Sequence, residues 1–210
     1  MTDFGLLLQY LAWWALFGFI HTTLSSKSLK LRIGLGKTKY RIIYNIIATF
    51  TLLLVILNVP SIISILLSGL DLNMSRRILF FFMLTSGWVI GFFGLTAWNL
   101  SALAGFEEDK DPLKRDGIYA FCRHPVYIAA ILILLSTLII EINAVTLSWL
   151  VGAGGYFVVG TISEEKKMVI SFEEYVHYKL DVGRFLPWKI RHLKYLIKNY
   201  RPQGIHEIQQ

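Results

Sequence analysis

Cysteine and charge are the two scarcities of this sequence. Its single cysteine, Cys122, excludes an internal disulfide and any metal site built on paired cysteines. Only 17% of the 210 residues are charged, while 55% are hydrophobic. Counted with glycine and without tyrosine, the apolar share is roughly 58%, against about 45–50% in soluble chains. Mean hydropathy of +0.55 agrees. This balance excludes a disordered or collagen-like chain and argues against a soluble globular enzyme. No repeat, low-complexity tract or G-x-G-x-x-G strand–helix unit is present, so a Rossmann-type architecture is excluded as well. The N-terminus lacks a basic stretch and a small-residue cleavage site, and no removable signal peptide is expected.

What the chain has instead is long uncharged runs. Phe4–Ser26, Ile42–Leu70, Ile78–Leu100 and Ile142–Ser163 each exceed the roughly 20 residues a helix needs to cross a bilayer. Val126–Ile140 is shorter, about 22 Å at 1.5 Å per residue. Lying directly before Ile142–Ser163, it reads as the first arm of a helical hairpin turning near Glu141–Asn143. Pro60 interrupts the second run, which is expected to kink or end there.

The net charge of +7 then acquires a meaning. Lys27–Arg41, Lys110–Arg123 and Lys166–Arg201 together hold 19 of the 21 basic residues, and Asp71–Arg77 holds the other 2. By the positive-inside rule this predicts an all-α polytopic membrane bundle of about five spans, N-terminus outside. The basicity belongs to a membrane surface, and no nucleic-acid partner is expected. In Pro187–Arg201, Ile190, Leu193, Leu196, Ile197 and Tyr200 share one helical face opposite Arg191, Lys194, Lys198 and Arg201. Such a helix would lie on the anionic cytoplasmic leaflet with Trp188 at headgroup level. Residues 1–112 are expected to form a three-span bundle, 113–188 a module built on the hairpin, and 189–210 a surface-bound tail.

Polar groups concentrate at the cytoplasmic side of the hairpin. Gly117-Ile118-Tyr119 leads to Arg123-His124-Pro125-Val126-Tyr127. With Pro125 in the first turn, Arg123 and His124 stand at a helix N-terminus, a place suited to an anion. Alternatively Arg123 snorkels to headgroups. Glu164-Glu165 ends the last span, followed by Phe172, Tyr175, Tyr178, Arg184 and Pro187. Lys166 and Lys167 can neutralise that carboxylate pair. Beside Arg123 and His124, however, the pair would make a pocket of both signs, which suits a zwitterion. Tyrosine faces would add cation–π contacts for a ligand with a cationic centre.

These two clusters, in this order and closed by Gly183-Arg184-Phe185-Leu186-Pro187, resemble the C-terminal module of the isoprenylcysteine carboxyl methyltransferases and their relatives, the phospholipid N-methyltransferases. The likeness covers about residues 113–188. Near the N-terminus, Trp14-Ala15-Leu16-Phe17, His21-Thr22-Thr23-Leu24 and Tyr40-Arg41-Ile42-Ile43-Tyr44-Asn45 are similar to small bacterial proteins of the methanethiol S-methyltransferase and nitric-oxide-reduction-associated type. Two departures stand out. Ala129 replaces a frequent Gly, and Phe172-Glu173-Glu174-Tyr175 is a residue shorter than the usual Phe-Gly-x-x-Tyr. The second leaves open which of Tyr175 and Tyr178 faces the ligand.

The resemblance implies S-adenosylmethionine as cofactor, with Tyr119, Arg123, His124, Tyr127, Glu164, Glu165, Tyr175, Tyr178 and Arg184 around it and Arg123, His124 and Glu165 in the catalytic role. It further implies a small thiol or lipophilic acceptor reached from the bilayer, in a prokaryotic inner membrane with the site facing the cytoplasm. No metal is expected. His21 and Trp98 are the candidates on the acceptor side. His21 can equally bond a backbone carbonyl, and Trp98, like Trp13, Trp14 and Trp88, suits an interfacial belt. An NADPH-dependent reductase of the sterol type has a similar motif pair, and a non-catalytic component of nitrogen-oxide metabolism is a further alternative.

Overall fold

The computed structural model describes residues 3–60, 62–98 and 113–186. All regular structure among the described residues is helical. The order is α1 (Asp3–Ser25), α2 (Lys27–Ile33), α3 (Lys37–Asn58), α4 (Ile62–Ser68), α5 (Met74–Thr96), α6 (Pro125–Ile140), α7 (Ala144–Ser171) and α8 (Tyr175–Asp181). Short 3-10 turns occupy Gly69–Asp71 and Gly117–Ala120. The basic tail and the span end at Leu100 lie outside the described residues.

Among the described residues, four helices are long and apolar enough to cross a membrane: Asp3–Ser25, Thr38–Asn58, Met74–Thr96 and Ala144–Ser171. The fifth expected span, α6, has 16 residues, about 24 Å of helix. The chain is a polytopic helical membrane protein. Its surface agrees, since Phe19, Leu57, Phe82, Trp88 and Ile170 point outward and need lipid as solvent.

Local chemistry sets the breaks. Val59 is extended (φ −107°, ψ 125°), as a residue before proline tends to be, so the run that carries Pro60 divides into α3 and α4. Asn73 caps α5 by accepting from the Arg76 amide at 3.1 Å. That helix starts at Met74, before the uncharged run does, because its two arginines turn back onto carbonyls. Arg76 donates to Ile139 O through Nε at 3.0 Å and to Ile140 O at 2.8 Å, closing the end of α6. Arg77 donates to Leu72 O at 2.7 Å and 3.1 Å. The two basic residues outside the basic end are thus consumed as caps. At the hairpin turn, the Asn143 side chain accepts from the amides of Val145 and Thr146, and the Thr146 hydroxyl accepts from the Asn143 amide.

Close packing depends on small residues, as expected where lipid tails remove the hydrophobic drive between helices. Gly87, Gly91 and Gly94 line one face of α5 against α6; a Cβ on Gly87 would stand 2.7 Å from Ile133 and 2.9 Å from the Ala129 carbonyl. The two helices pack along their lengths although the expected module boundary near 112 falls between them. Inside α7 a π turn at Leu150–Gly154 brings Gly152 under the Trp14 ring, where a Cβ would come within 2.2 Å. Buried hydroxyls are satisfied locally: Ser136, Thr137, Ser148 and Thr161 each donate 2.7 Å to the carbonyl three residues back.

Candidate active site

Alternation of the helices brings the ends of α1, α5 and α7 together with the starts of α3 and α6. Lys167 Nζ reaches Ser25 O at 3.4 Å across two of these ends. The segment before α6 is fastened from its backbone: the Arg123 amide donates to Gly183 O at 3.0 Å and the His124 amide to Arg184 O at 3.2 Å. Residues 123–124 and 183–184 are thereby paired. Pro125 occupies the first helical position, where its missing N–H is no loss.

Glu165 is the hub. It is 3% exposed, and Arg123 donates to its Oε1 through Nη2 at 2.7 Å and Nε at 3.0 Å. Arg184 donates to Oε2 at 2.8 Å and to Oε1 at 3.1 Å, and Lys179 stands 3.9 Å from Oε2. Nη1 of Arg123 donates to Lys179 O at 3.0 Å and to Val182 O. Four bonds therefore use four of the five guanidinium hydrogens. One arginine ties α6, α7 and α8 together. The bond to Glu165 also raises the Arg184 pKa.

His124 lies between the two carboxylates, with Nε2 3.3 Å from Glu165 Oε1 and Nδ1 3.6 Å from Glu164 Oε2. Its ring stacks on Tyr127 at 5.5 Å, and Tyr127 stacks on Phe157 at 5.2 Å. Burial holds His124 below its usual pKa, against the pull of Glu165. Glu164 accepts from the Tyr127 hydroxyl and stays half-exposed. Adjacent in sequence, the two glutamates differ in kind.

A cavity of about 360 Å³ opens beside this network. Trp98, Tyr119, Tyr127, Tyr175 and Tyr178 supply aromatic walls, and Leu95, Pro125 and Val126 supply apolar ones. Arg123, His124, Glu164, Lys114 and Lys167 bring both signs of charge. Tyr178 donates to Tyr119 O at 2.6 Å, while Tyr119 accepts from Trp98 Nε1 and donates to Gly94 O at 3.1 Å. Burial raises both phenols, and it lifts Tyr175, with help from the Glu165 charge, to about 12. All three stay neutral. Cys122 is buried and its thiol is pushed up to about 11.

The structure gathers Tyr119, Arg123, His124, Tyr127, Glu164, Tyr175, Tyr178 and Trp98 around one cavity, and sets Glu165 and Arg184 behind it. Both open tyrosines, Tyr175 and Tyr178, reach its lining. His21 stands apart, bonded by the hydroxyls of Tyr44 and Tyr156. Lys114, Lys167 and Met168 belong to the lining and were not expected there. The helical spacing of Lys167, three residues beyond Glu164, was the available signal.

Residues 75–171 match the model of the isoprenylcysteine carboxyl methyltransferase (ICMT) family. The match runs from the first turn of α5 through the end of α7 and contains the Arg123–Glu165 pair. It leaves out α1–α4 and α8. This segment therefore shares its pattern with a family of membrane methyltransferases. No curated protein and no solved structure matches the chain.

Proposed function

We propose that the chain is an integral membrane methyltransferase that uses S-adenosylmethionine and transfers its methyl group to a small thiol or another lipophilic acceptor. The observation that carries this reading is the cavity, whose largely apolar lining includes both signs of charge and the aromatic side chains of Trp98 and four tyrosines. The cofactor is a zwitterion with a cationic sulfur, and the donor set fits each part. Its volume is in the range of small-molecule sites, about 300–1,000 Å³.

When bound, the cofactor supplies an electrophilic methyl group on a positively charged sulfur. Glu164, held by Tyr127, pairs with its ammonium or ribose hydroxyls. Lys167 and Lys114 take the carboxylate, beside His124. Arg123, Glu165 and Arg184 act as a clasp that fixes α6 against α7 and α8, so the lining is organised before the ligand arrives. The phenol faces of Tyr119, Tyr127, Tyr175 and Tyr178 favour positive charge near them. Leu95, Pro125 and Val126 exclude water, which lets alignment of the reacting groups lower the barrier. The site is read as facing the cytoplasm, since the basic segment Lys27–Arg41 follows the end of α1 that Lys167 reaches.

Calorimetric titration of the detergent-solubilised protein with S-adenosylhomocysteine tests this, with NADPH as the competing arm. Saturable binding of the first and none of the second is expected. Binding of NADPH alone would replace this reading with that of a reductase.

A further inference from the structure

Outside the cavity, one polar cluster sits within the spans. His21 of α1 meets Tyr44 of α3 at Nε2 and Tyr156 of α7 at Nδ1, with the Tyr156 hydroxyl also 3.4 Å from Nε2. Phe17 packs on the imidazole at 5.5 Å, and the charges that act on the cluster are Lys167, on His21, and Glu164, on both tyrosines. Polar residues within membrane spans are costly and tend to be kept for function.

Proton counting gives the cluster a direction. A neutral imidazole and two phenols hold three hydrogens, and two N···O links use two of them. One tyrosine donates to the ring's lone pair and keeps its own oxygen lone pairs open. The other accepts from the ring N–H, and its hydroxyl hydrogen points away from the ring. The cluster can therefore accept a proton and donate a hydrogen bond to one incoming group.

The cluster shares a helix face with the cavity rim. Tyr156, Gly160, Glu164 and Lys167 follow one another along one face of α7. A Cβ on Gly160 would meet nothing within 4 Å, so no side chain fills that position of the face, and Glu164 of the cavity lining is an electrostatic neighbour of both Tyr44 and Tyr156.

Resting on the methyl-transfer reading above, we propose that Tyr44, His21 and Tyr156 form the acceptor end of the site and deprotonate a neutral thiol through a tyrosine relay. The thiol S–H bond breaks and its proton passes to the phenol oxygen, while that phenol's hydrogen passes to the imidazole lone pair. The electron pair stays on sulfur. Both ring N–H groups then donate to the tyrosines, and both hydroxyls are free to donate to the thiolate. The thiolate sulfur attacks the donor's methyl carbon, and the methyl–sulfonium bond breaks to leave a neutral thioether. Chemistry selects the thiol. A carboxylate is already ionised at neutral pH, and an alkylammonium of pKa about 10.4 gives up its proton less readily than a thiol of about 8.5. Such a thiol is mostly protonated at neutral pH and therefore needs a base before it can attack. His21 is in this sense a positioning residue acting through the phenols.

The test compares wild type, His21→Gln and Tyr156→Phe over a series of thiols, from alkyl to acidic aryl, that are ionised to different degrees. The expected result is a loss of about 10²- to 10³-fold in kcat/KM for alkyl thiols in His21→Gln, with little loss for aryl thiols already ionised. Tyr156→Phe should shift in the same direction with the ring packing kept. Histidine-selective ¹⁵N labelling gives a donor-free readout: adding an alkyl thiol should move the His21 nitrogens toward the imidazolium position. Equal losses across the series, or no response of His21, would overturn the relay while leaving methyl transfer standing. Absence of S-adenosylhomocysteine binding by the wild type would overturn both.

Discussion

Arg123 and Glu165 face each other across the hairpin with more than nine-tenths of each side chain buried, the guanidinium placing two donors on one carboxylate oxygen at 2.7 Å and 3.0 Å. Forty-two positions apart in the chain, they join the start of α6 to the end of α7. A buried pair of this kind contributes little over an apolar replacement, but breaking it strands a charge. Glu165→Ala is expected to cost about 3–5 kcal/mol of stability. Arg123→Lys should not restore it, because an ammonium cannot bridge Glu165, Lys179 O and Val182 O together. Thermal unfolding in detergent reads both; a Glu165→Ala protein as stable as the wild type would remove the clasp from the account.

Glu164 should behave oppositely. Its carboxylate is half-exposed and borders the cavity, so Glu164→Gln leaves the unfolding midpoint close to wild type. What it loses is a charged acceptor for the ligand, worth about tenfold in S-adenosylhomocysteine affinity. Calorimetry on the two neighbouring variants, Glu164→Gln and Glu165→Gln, separates a ligand contact from a structural one.

Much of this arrangement could be read before any coordinates. The apolar runs, the break at Pro60, the turn at Glu141–Asn143 and the collection of charge at the hairpin's basic end all follow from local composition. Partner choice does not. Nothing in the order of residues says that Arg123 spends itself on Glu165 and two carbonyls, because those carbonyls belong to a segment some 60 positions away whose path depends on packing. The same holds for His21, whose partners come from two other helices. The start of α5 lies ahead of the uncharged run for a simpler reason: Arg76 and Arg77 sit inside its first turn and bond to carbonyls. A stripe of small residues at Gly87, Gly91 and Gly94 was visible and carried the α5–α6 contact.

His124 gives stability a pH dependence. Burial lowers its pKa from the usual 6.5, so below that pH the unfolded chain binds more protons than the native one. Stability therefore falls as the pH drops below about 6.5 and levels off once the native ring is also charged, with a slope of at most about 1.4 kcal/mol per pH unit. Unfolding midpoints between pH 7 and pH 5 should show this decline, and His124→Gln should flatten it. An unchanged slope in the variant would assign the dependence elsewhere.

Cys122 tests whether the loop before α6 stays closed. Its thiol is buried and pushed up to about 11, so thiolate is scarce at neutral pH and reagents cannot reach it. Folded protein should resist maleimide until heat or denaturant opens the loop, and labelling should then follow the unfolding curve. Rapid labelling of folded protein would show that the pairing of residues 123–124 with 183–184 opens readily.

The α5–α6 contact makes the sharpest packing prediction. A Cβ at Gly94 would stand 2.8 Å from Val126 and 3.5 Å from the Pro125 ring, next to the residues that line the cavity. At Gly87 it would meet Ile133 at 2.7 Å and a backbone carbonyl at 2.9 Å, farther along the same face. Overpacking of this kind costs typically about 1–3 kcal/mol, and Gly87→Ala and Gly94→Ala should both fall in that range. They should differ at the site. Gly94→Ala pushes on Val126 and disturbs the Tyr119 hydroxyl bonded to the Gly94 carbonyl, so it weakens ligand binding. Gly87→Ala lowers stability with affinity kept. Unfolding and calorimetry on the same two proteins decide it, and equal affinities would mean that α5 does not set the shape of the cavity wall.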